Sequence, residues 1–502
     1  MEYLAGIDVG TTGVKIILID EKGNVKGSRT EEYPLFTPRP GWAEQNPSDW
    51  WEATVKGIRE LLEETGIKGT DIKGIGLTGQ MHGSVFLNNK GDVIYPAILW
   101  CDQRTAKECE EITDRVGKER IFEITCNPVL TGFQAPKIIW LRKNYPDVYK
   151  NVLKILLPKD YIRFCLTGVF ATDVADASGT SLFDVKERRW SEEILKSLDI
   201  PSSFLPECFE SPEVTGYITE DVAGLTGLVK GTPVVAGAGD QAAGGVGSGI
   251  VEEGIVSVSL GTSGVVFAHL EDVFVDPAGR LHTFCHAVPG KWHIMGVMLS
   301  AGGSFRWLRD TFFGDKKTSY KVMTDMAESI PAGSEGLLFL PYLTGERCPY
   351  PDPDARGVFF GISLKHRVEH FIRAVMEGVS FGLKDSIRIM KEIGIPECKK
   401  FRLTGGGAKS DLWCSMMADI FNGTTVRLKV EEGPSFGAAI LAGVGVGIYS
   451  DVKSACNKLV KEEGNAFLPD KRNVEIYERF YTLYGALYKN LEGLFDNLAE
   501  IS

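Results

Sequence analysis

The same five-residue turn occurs twice in this chain, half its length apart. Gly10-Thr11-Thr12-Gly13-Val14 and Gly261-Thr262-Ser263-Gly264-Val265 share the pattern Gly-Thr-(Thr/Ser)-Gly-Val, offset by 251 residues in a chain of 502. Each copy follows an apolar run, "YLAGIDV" or "IVSVSL", and precedes another, "VKIILID" or "VVFAHL". Such runs read as strands with buried faces, and Gly brackets the turn because tight turns need its backbone freedom. Two strand–turn–strand units half a chain apart predict one α/β unit duplicated and diverged. The expected division, at a hinge near 245–255, gives domains 1–248 and 249–502.

Strands alternate with helices elsewhere, which implies α/β layers. "PSDWWEATVKGIRELLEE" reads as a helix with Asn46 as its cap and Pro47 at its first position. "SVFLNNKGDVI" reads as a hairpin. "FRLTGGGAKSDLWCSMMADIFNG" reads as strand, triple-Gly loop and helix, and "GPSFGAAILAGVGVG" as a helix of small residues.

The net charge of −12, with no Lys/Arg stripe, argues against nucleic acid or an anionic membrane as the main partner. A small anion stays open, because backbone N–H groups bind one locally whatever the global charge. Ten cysteines without a C-x-x-C pair read as reduced thiols, with neither a zinc site nor a disulfide framework. "MEYLAGIDVG" has no basic start or long apolar stretch, and no run of about 18 apolar residues occurs, so a cytoplasmic chain without a membrane span is expected.

The two turns and the triple-Gly loop suggest a nucleotide held between two domains, since Gly lets N–H groups approach phosphate and Thr adds donors. Lys15 is a candidate point charge beside the first turn, and Asp8 a candidate holder of a hydrated Mg²⁺ ion. There is no Walker A loop. "TPVVAGAGDQAAGGVGSG" contains Gly237, Gly239 and Ala242 in a relaxed dinucleotide-binding pattern. Asp240 inside that loop would repel a pyrophosphate, and the next strand brings no acid for a ribose, so a dinucleotide enzyme is disfavoured. Gln80, Met81 and His82 end the strand "IKGIGLTGQ", where α/β sheets present ligands, and offer donors and acceptors to hydroxyls. Trp100, Asp102 and Arg104 form a second polar cluster, with Trp100 also compatible with plain core. His282 and His286 read as structural.

Together, "GIDVGTTGVK", "SLGTSG", "LTGGGAKSDLW" and "GVFFGISLKHRVEHFIRAVMEG" resemble the FGGY carbohydrate kinases. The resemblance runs from Gly6 to about Gly447. It implies two actin/hexokinase-like (ribonuclease H-like) α/β domains with a cleft between them, ATP and Mg²⁺ as cofactors, and a small sugar as acceptor. It implies Asp240 as general base on the sugar's terminal hydroxyl; the local sequence further suggests that one of its oxygens caps the helix from Gln241 onward, which would lower its basicity. By the same resemblance Gln80, Met81, His82, Asp240 and Gln241 line the sugar. Thr11, Thr12, Lys15, Gly261 and Thr262 hold phosphates, Gly302, Gly406 and Gly407 lie along the nucleotide, and Asp8 acts in catalysis by organising Mg²⁺. Gln80-Met81-His82-Gly83 departs from the Asn-Gln-Arg-Glu of the glycerol-phosphorylating members, which argues against glycerol. "PGWAEQNPSDWW", "GQMHGSVFL", "PAILWCDQRT" and "GDQAAGGVG" are most similar to members acting on pentuloses. D-xylulose leads, with ribulose, L-xylulose and gluconate as alternatives and an actin-like nucleotide switch as a distant one. Gln134, Gln241 and Cys101 depart from the usual residues. A homodimer is expected from the family.

Overall fold

The computed structural model describes residues 2–314 and 318–501; Met1 and Ser502, the ends of the two expected domains, lie outside these. Two seven-stranded sheets organise the chain. In the first, Tyr3–Val9 runs antiparallel to Gly13–Asp20, which pairs antiparallel with Val25–Glu32. On its other side Tyr3–Val9 runs parallel to Ile72–Gly79. In the second, Ile255–Leu260 runs antiparallel to Gly264–Leu270, then Trp292–Met298 follows antiparallel, and Lys400–Thr404 is parallel on the other side. The same topology occurs in both halves, and both Gly-Thr turns sit at the same corner of it. The repeated pentapeptide therefore marks a repeated fold.

The core does not divide as simply as the chain does. The helix Gly433–Gly445 belongs in sequence to the second half, yet it packs on the first sheet and against the helix Asp240–Gly247. Its small residues explain how. A Cβ on Gly6 would lie 1.9 Å from the Ser435 carbonyl oxygen, and one on Gly76 would lie 1.8 Å from that of Ala438. A Cβ on Gly437 would lie 1.8 Å from the Ala243 oxygen, and one on Gly247 would lie 2.1 Å from that of Gly433. Backbone meets backbone with no room for a side chain. One buried cluster accordingly mixes Leu4, Ile17, Val235 and Val246 with Phe436, Ile440 and Leu441.

The Asp240 helix touches both halves. A Cβ on Gly245 would fall 2.5 Å from Phe267 Cε1 of the second sheet. Asn46 stands at the N-cap of helix Pro47–Thr65, with Pro47 in its first turn, but its side chain makes no capping bond. Among the described residues no helix is long and apolar enough to cross a membrane, and all ten cysteines are free thiols.

Overpacking a filled interior costs about 1–3 kcal/mol, and more where only backbone can yield. Gly437→Ala is therefore expected to lower stability by at least ~3 kcal/mol in urea denaturation. Gly493→Ala, at an exposed helical position with nothing within 4 Å of the new Cβ, is expected to raise it by about 0.5–1 kcal/mol. Equal effects of the two changes would contradict the close crossing.

Candidate active site

The first turn is held from several sides. Gly10 N–H donates to Gly13 O at 3.1 Å. Tyr33 Oη donates to Gly10 O at 2.5 Å, Gln45 Nε2 to Thr11 O at 2.7 Å, and Trp100 Nε1 to Thr11 Oγ1 at 3.0 Å. Gln80 is 2% exposed, and its amide donates to Gly10 O at 3.2 Å and to Gln45 Oε1 at 3.1 Å. Gln80, expected to line the sugar, gives one amide hydrogen to the turn and the other to Gln45. Trp100 is not core: it is 45% exposed and reaches the turn through its indole N–H. Thr12 is exposed at the tip. Lys15, paired across the strands with Asp8, forms an ion pair with Glu432, from the segment leading into the Gly433 helix. That pair ties the two halves together beside the turn.

Asp8 and Asp240 are carboxylates of this corner near enough for the charge of one to act on the other. Asp8 Oδ1 is buried and has no hydrogen-bond partner. Burial, then the charge of Asp240, push its carboxyl up to about 7 against the pull of Lys15. Burial likewise pushes Asp240 up to about 6, opposed by the side-chain and backbone N–H groups of Gln241. Gln241 Nε2 reaches Asp240 Oδ1 at 3.4 Å. The expected capping geometry is corrected here. Gly239 is the N-cap, without a side-chain bond, and Asp240 is the first helical residue. The expected fall in basicity is also corrected, because loss of hydration outweighs the hydrogen bonds.

The glycines before Asp240 have their own explanation. Gly237 has φ 70°, and a Cβ there would lie 1.9 Å from the Leu77 carbonyl oxygen. A Cβ on Gly239 would lie 2.7 Å from Met81 Cγ and 3.3 Å from Asp176 Oδ1. The small residues let this backbone press onto the neighbouring strand and onto Met81. The crowding comes from the protein itself.

His82 is the most constrained residue of the site. Its φ is 69°, a left-handed conformation uncommon outside Gly. Its Nδ1 donates to Gly179 O at 2.6 Å, which leaves Nε2 as an acceptor, and Phe133 lies 4.5 Å away, centroid to centroid. Fully buried Lys137 clamps the turn by donating to His82 O at 2.8 Å and to Gly132 O at 2.6 Å. Burial, aided by the Lys137 charge, pushes the His82 imidazole down to about 3, so it stays neutral. Gln134, an unusual residue at its position, donates to Gly83 O at 3.3 Å and steadies the same loop.

In the second half a cavity of about 520 Å³ opens beside the second turn. Gly261, Thr262, Gly302, Gly406 and Gly407, the residues expected from sequence to lie along a nucleotide, all line this one cavity. Leu260, Phe305, Tyr320 and Trp413 supply its apolar walls, with Arg306, Lys321 and Lys409 also present. These aromatics were not singled out from the sequence, since nothing in their local pattern separates a base-sized wall from core. Gly302 N–H donates to Gly261 O at 2.8 Å, and Gly303 N–H to Thr262 O at 2.9 Å, which joins the helix Gly302–Phe312 to the turn.

Among the described residues no cluster of three or more His, Cys, Asp or Glu groups could hold a metal. The buried, unpartnered Oδ1 of Asp8 fits one side of a hydrated Mg²⁺ ion whose remaining ligands would be water and phosphate oxygens.

Two like halves, a pair of Gly-Thr turns, a base-sized cavity and enclosed carboxylates define a two-domain, actin/hexokinase-like kinase. Residues 3–247 match the N-terminal domain, and residues 256–446 the C-terminal domain, of the FGGY family of carbohydrate kinases. The chain belongs to this family and is an ATP-dependent sugar kinase. It is 42% identical over 502 residues to a xylulose kinase of Lactococcus lactis, covering 100% of this chain and 99% of the relative. A ligand-bound xylulose kinase from Lactobacillus acidophilus superposes with a TM-score of 0.93 at 28% identity, over 99% of this chain and all of that one. A gluconate kinase from Lactobacillus acidophilus does so equally well, with a TM-score of 0.93 at 28% identity over 99% of each chain.

Removing the Lys137 ammonium would strand two buried carbonyls, at about 1–3 kcal/mol each. Lys137→Met is expected to raise KM for the sugar at least ~10-fold while KM for ATP changes less than about twofold. Steady-state kinetics with each substrate varied in turn checks this, and a parallel rise in both KM values would contradict it.

Proposed function

We propose that this chain transfers the γ-phosphoryl group of ATP to O5 of D-xylulose, forming D-xylulose 5-phosphate and ADP. The observation that carries the mechanism is the Asp240 carboxylate, enclosed at the start of a helix that touches both halves and poised at about 6. Full-length similarity to xylulose kinases supports the choice of sugar. The equally good superposition of a gluconate kinase keeps gluconate as the second reading, since fold alone does not select the sugar.

In the proposed reaction Asp240 accepts the O5 proton as O5 forms its bond to phosphorus, and the bond from phosphorus to the leaving oxygen of ADP breaks. Phosphoryl transfer is loose, so positioning and charge neutralisation outweigh base strength. A carboxylate at about 6 is ionised at neutral pH and more basic than one in water, which suits it to late proton transfer. Gln241 fixes the direction of Asp240, while His82 accepts a sugar hydroxyl at Nε2. Met81, packed on Gly239, sets the spacing between them. Thr11, Thr12, Gly261 and Thr262 offer donors to the phosphates, and Lys15 joins them if it exchanges Glu432 for phosphate. Asp8 would hold Mg²⁺, which supplies neutralisation of phosphate charge when bound. The apolar walls around Phe305 and Trp413 suit an adenine base. With ten free thiols and no spanning helix among the described residues, a cytosolic, membrane-independent enzyme is the reading adopted.

Because Asp240 acts ionised, kcat/KM for the sugar should fall about tenfold per pH unit below about 6 and level off above it. Asp240→Asn should lower kcat by about 10²–10⁴-fold and remove that acid limb. ATP affinity, measured by calorimetry, should survive. Near-normal turnover of the variant would remove Asp240 from the mechanism. Product identification with ATP, Mg²⁺ and a panel of D-xylulose, ribulose, L-xylulose and gluconate tests the sugar, and a preferred product other than D-xylulose 5-phosphate would overturn that choice.

A further inference from the structure

Arg347 is a cation that forms no ion pair with any described carboxylate, although the charge of its neighbour Glu346 acts on it. Its guanidinium makes no hydrogen bond or ion pair with any described residue, and it is only partly exposed. The chain around it is tied down. Glu346 Oε1 accepts from Leu299 N–H at 2.9 Å and from Arg347 N–H at 2.7 Å. Glu346 and Asp352 exchange backbone hydrogen bonds of 2.8 and 3.0 Å, and Cys348 Sγ lies 3.3 Å from Ser386 Oγ. A partly desolvated charge held on a fixed stretch is costly unless a ligand completes it.

Its surroundings indicate the ligand. Glu346 accepts from Leu299 N–H at the end of the strand Trp292–Met298, and Cys348 meets Ser386, whose Oγ lies 2.2 Å from where a Gly296 Cβ of that strand would be, so the Arg347 stretch lies beside the strand. His282 pairs across from Met295 of that same strand. His282 and His82 share the rings of Phe133 and Phe284, with centroids 4.5–6.4 Å apart. The Arg347 charge is near enough to disfavour protonation of both imidazoles.

Both tautomers are determined by their partners. Asn127 Nδ2 donates to Thr125 O and Thr283 O, so its Oδ1 is the acceptor of the 3.1 Å bond from His282 Nδ1. His282 Nε2 is therefore an acceptor, and it is buried without a partner. His82 Nε2 is an acceptor for the same reason, because a carbonyl occupies its Nδ1. A donor-only guanidinium thus shares this corner with two acceptor nitrogens, and none of the three bonds another. His282, read from sequence as structural, has one nitrogen in that role and one left over.

An open-chain 2-ketose matches this set at its non-reacting end. Its C2 carbonyl oxygen only accepts, and its C1 hydroxyl donates. We propose that Arg347 is a specificity residue that donates to the C2 carbonyl of the sugar, while His82 and His282 accept from the hydroxyls flanking it. The inference deepens the proposed function and rests on that reading of the site as a ketose site. The corresponding alditol carries a hydroxyl in place of the carbonyl, so it spends the guanidinium less well.

The test compares D-xylulose with xylitol, which differs only at C2. KM and kcat/KM are measured for D-xylulose, and Ki for xylitol as a competitor, so the comparison needs no alditol turnover. A charge-assisted hydrogen bond is worth about 1.5–3 kcal/mol, or roughly 10–150-fold. Arg347→Gln is expected to weaken D-xylulose at least ~10-fold more than xylitol, with Arg347→Lys intermediate because it keeps charge but loses the planar fork. Thermal melts of both variants separate this from misfolding. Equal losses for ketose and alditol, or a fall confined to kcat, would overturn the proposal and point to a role toward the phosphoryl group. Unchanged selectivity would overturn it outright. If the wild-type product panel favours another carbonyl sugar, the function proposed for the chain fails separately. The Arg347 assignment is then read from the same ratio for that sugar and its alditol.

Discussion

The structure depends on one backbone-to-backbone crossing. The helix Gly433–Gly445 lies so close to the first sheet and to the Asp240 helix that Gly6, Gly76, Gly247 and Gly437 have no room for a Cβ. Through that contact a segment from the end of the chain becomes part of the core of its beginning. The Lys15–Glu432 ion pair, one turn away, fastens the same junction at the first Gly-Thr turn. The Asp240 helix meets Phe267 of the second sheet on another side. A base on that helix moves with neither half alone, which suits chemistry performed between a sugar and a nucleotide.

Electrostatics in the cleft follow from enclosure more than from pairing. Asp8 and Asp240 are both raised, chiefly because water is excluded, and the charge of Asp240 makes Asp8 harder still to ionise. His82 is lowered for the same reason and kept neutral by Lys137. The corner therefore holds a base near neutrality, an uncharged acceptor and an unpartnered carboxylate oxygen. Such groups cost stability in the empty protein, and binding of a hydroxyl, a cation and phosphate would relieve that cost.

Much of this was legible along the chain. The repeated Gly-Thr turn carried the duplicated topology, because a tight turn between two buried strands leaves a local pattern of Gly and alternating apolar residues. That Gly261, Thr262, Gly302, Gly406 and Gly407 share one cavity was consistent with their sequence pattern, since loops that admit a ligand are written in Gly and Thr. The bonds of Gln80 to Gly10 and Gln45 were not readable, because a carboxamide at a strand end looks the same whether it faces a ligand or a neighbouring loop. Trp100 was ambiguous for a similar reason: an indole in an apolar run signals burial, and only its distance to Thr11 says otherwise. Phe305, Tyr320, Trp413 and Lys137 left no local signal, because their roles arise from contacts far apart in sequence.

By itself the sequence determined the family, the two-fold repeat and the identity of the carboxylate set among glycines, since these rest on local composition and spacing. The tertiary structure alone decided how basic Asp240 is, what its glycines are for, and which cations answer which oxygens. Those properties come from desolvation and from contacts between distant segments. No stretch of residues records how much water its neighbours will exclude, or that the charge of Arg347 will act on both His82 and His282.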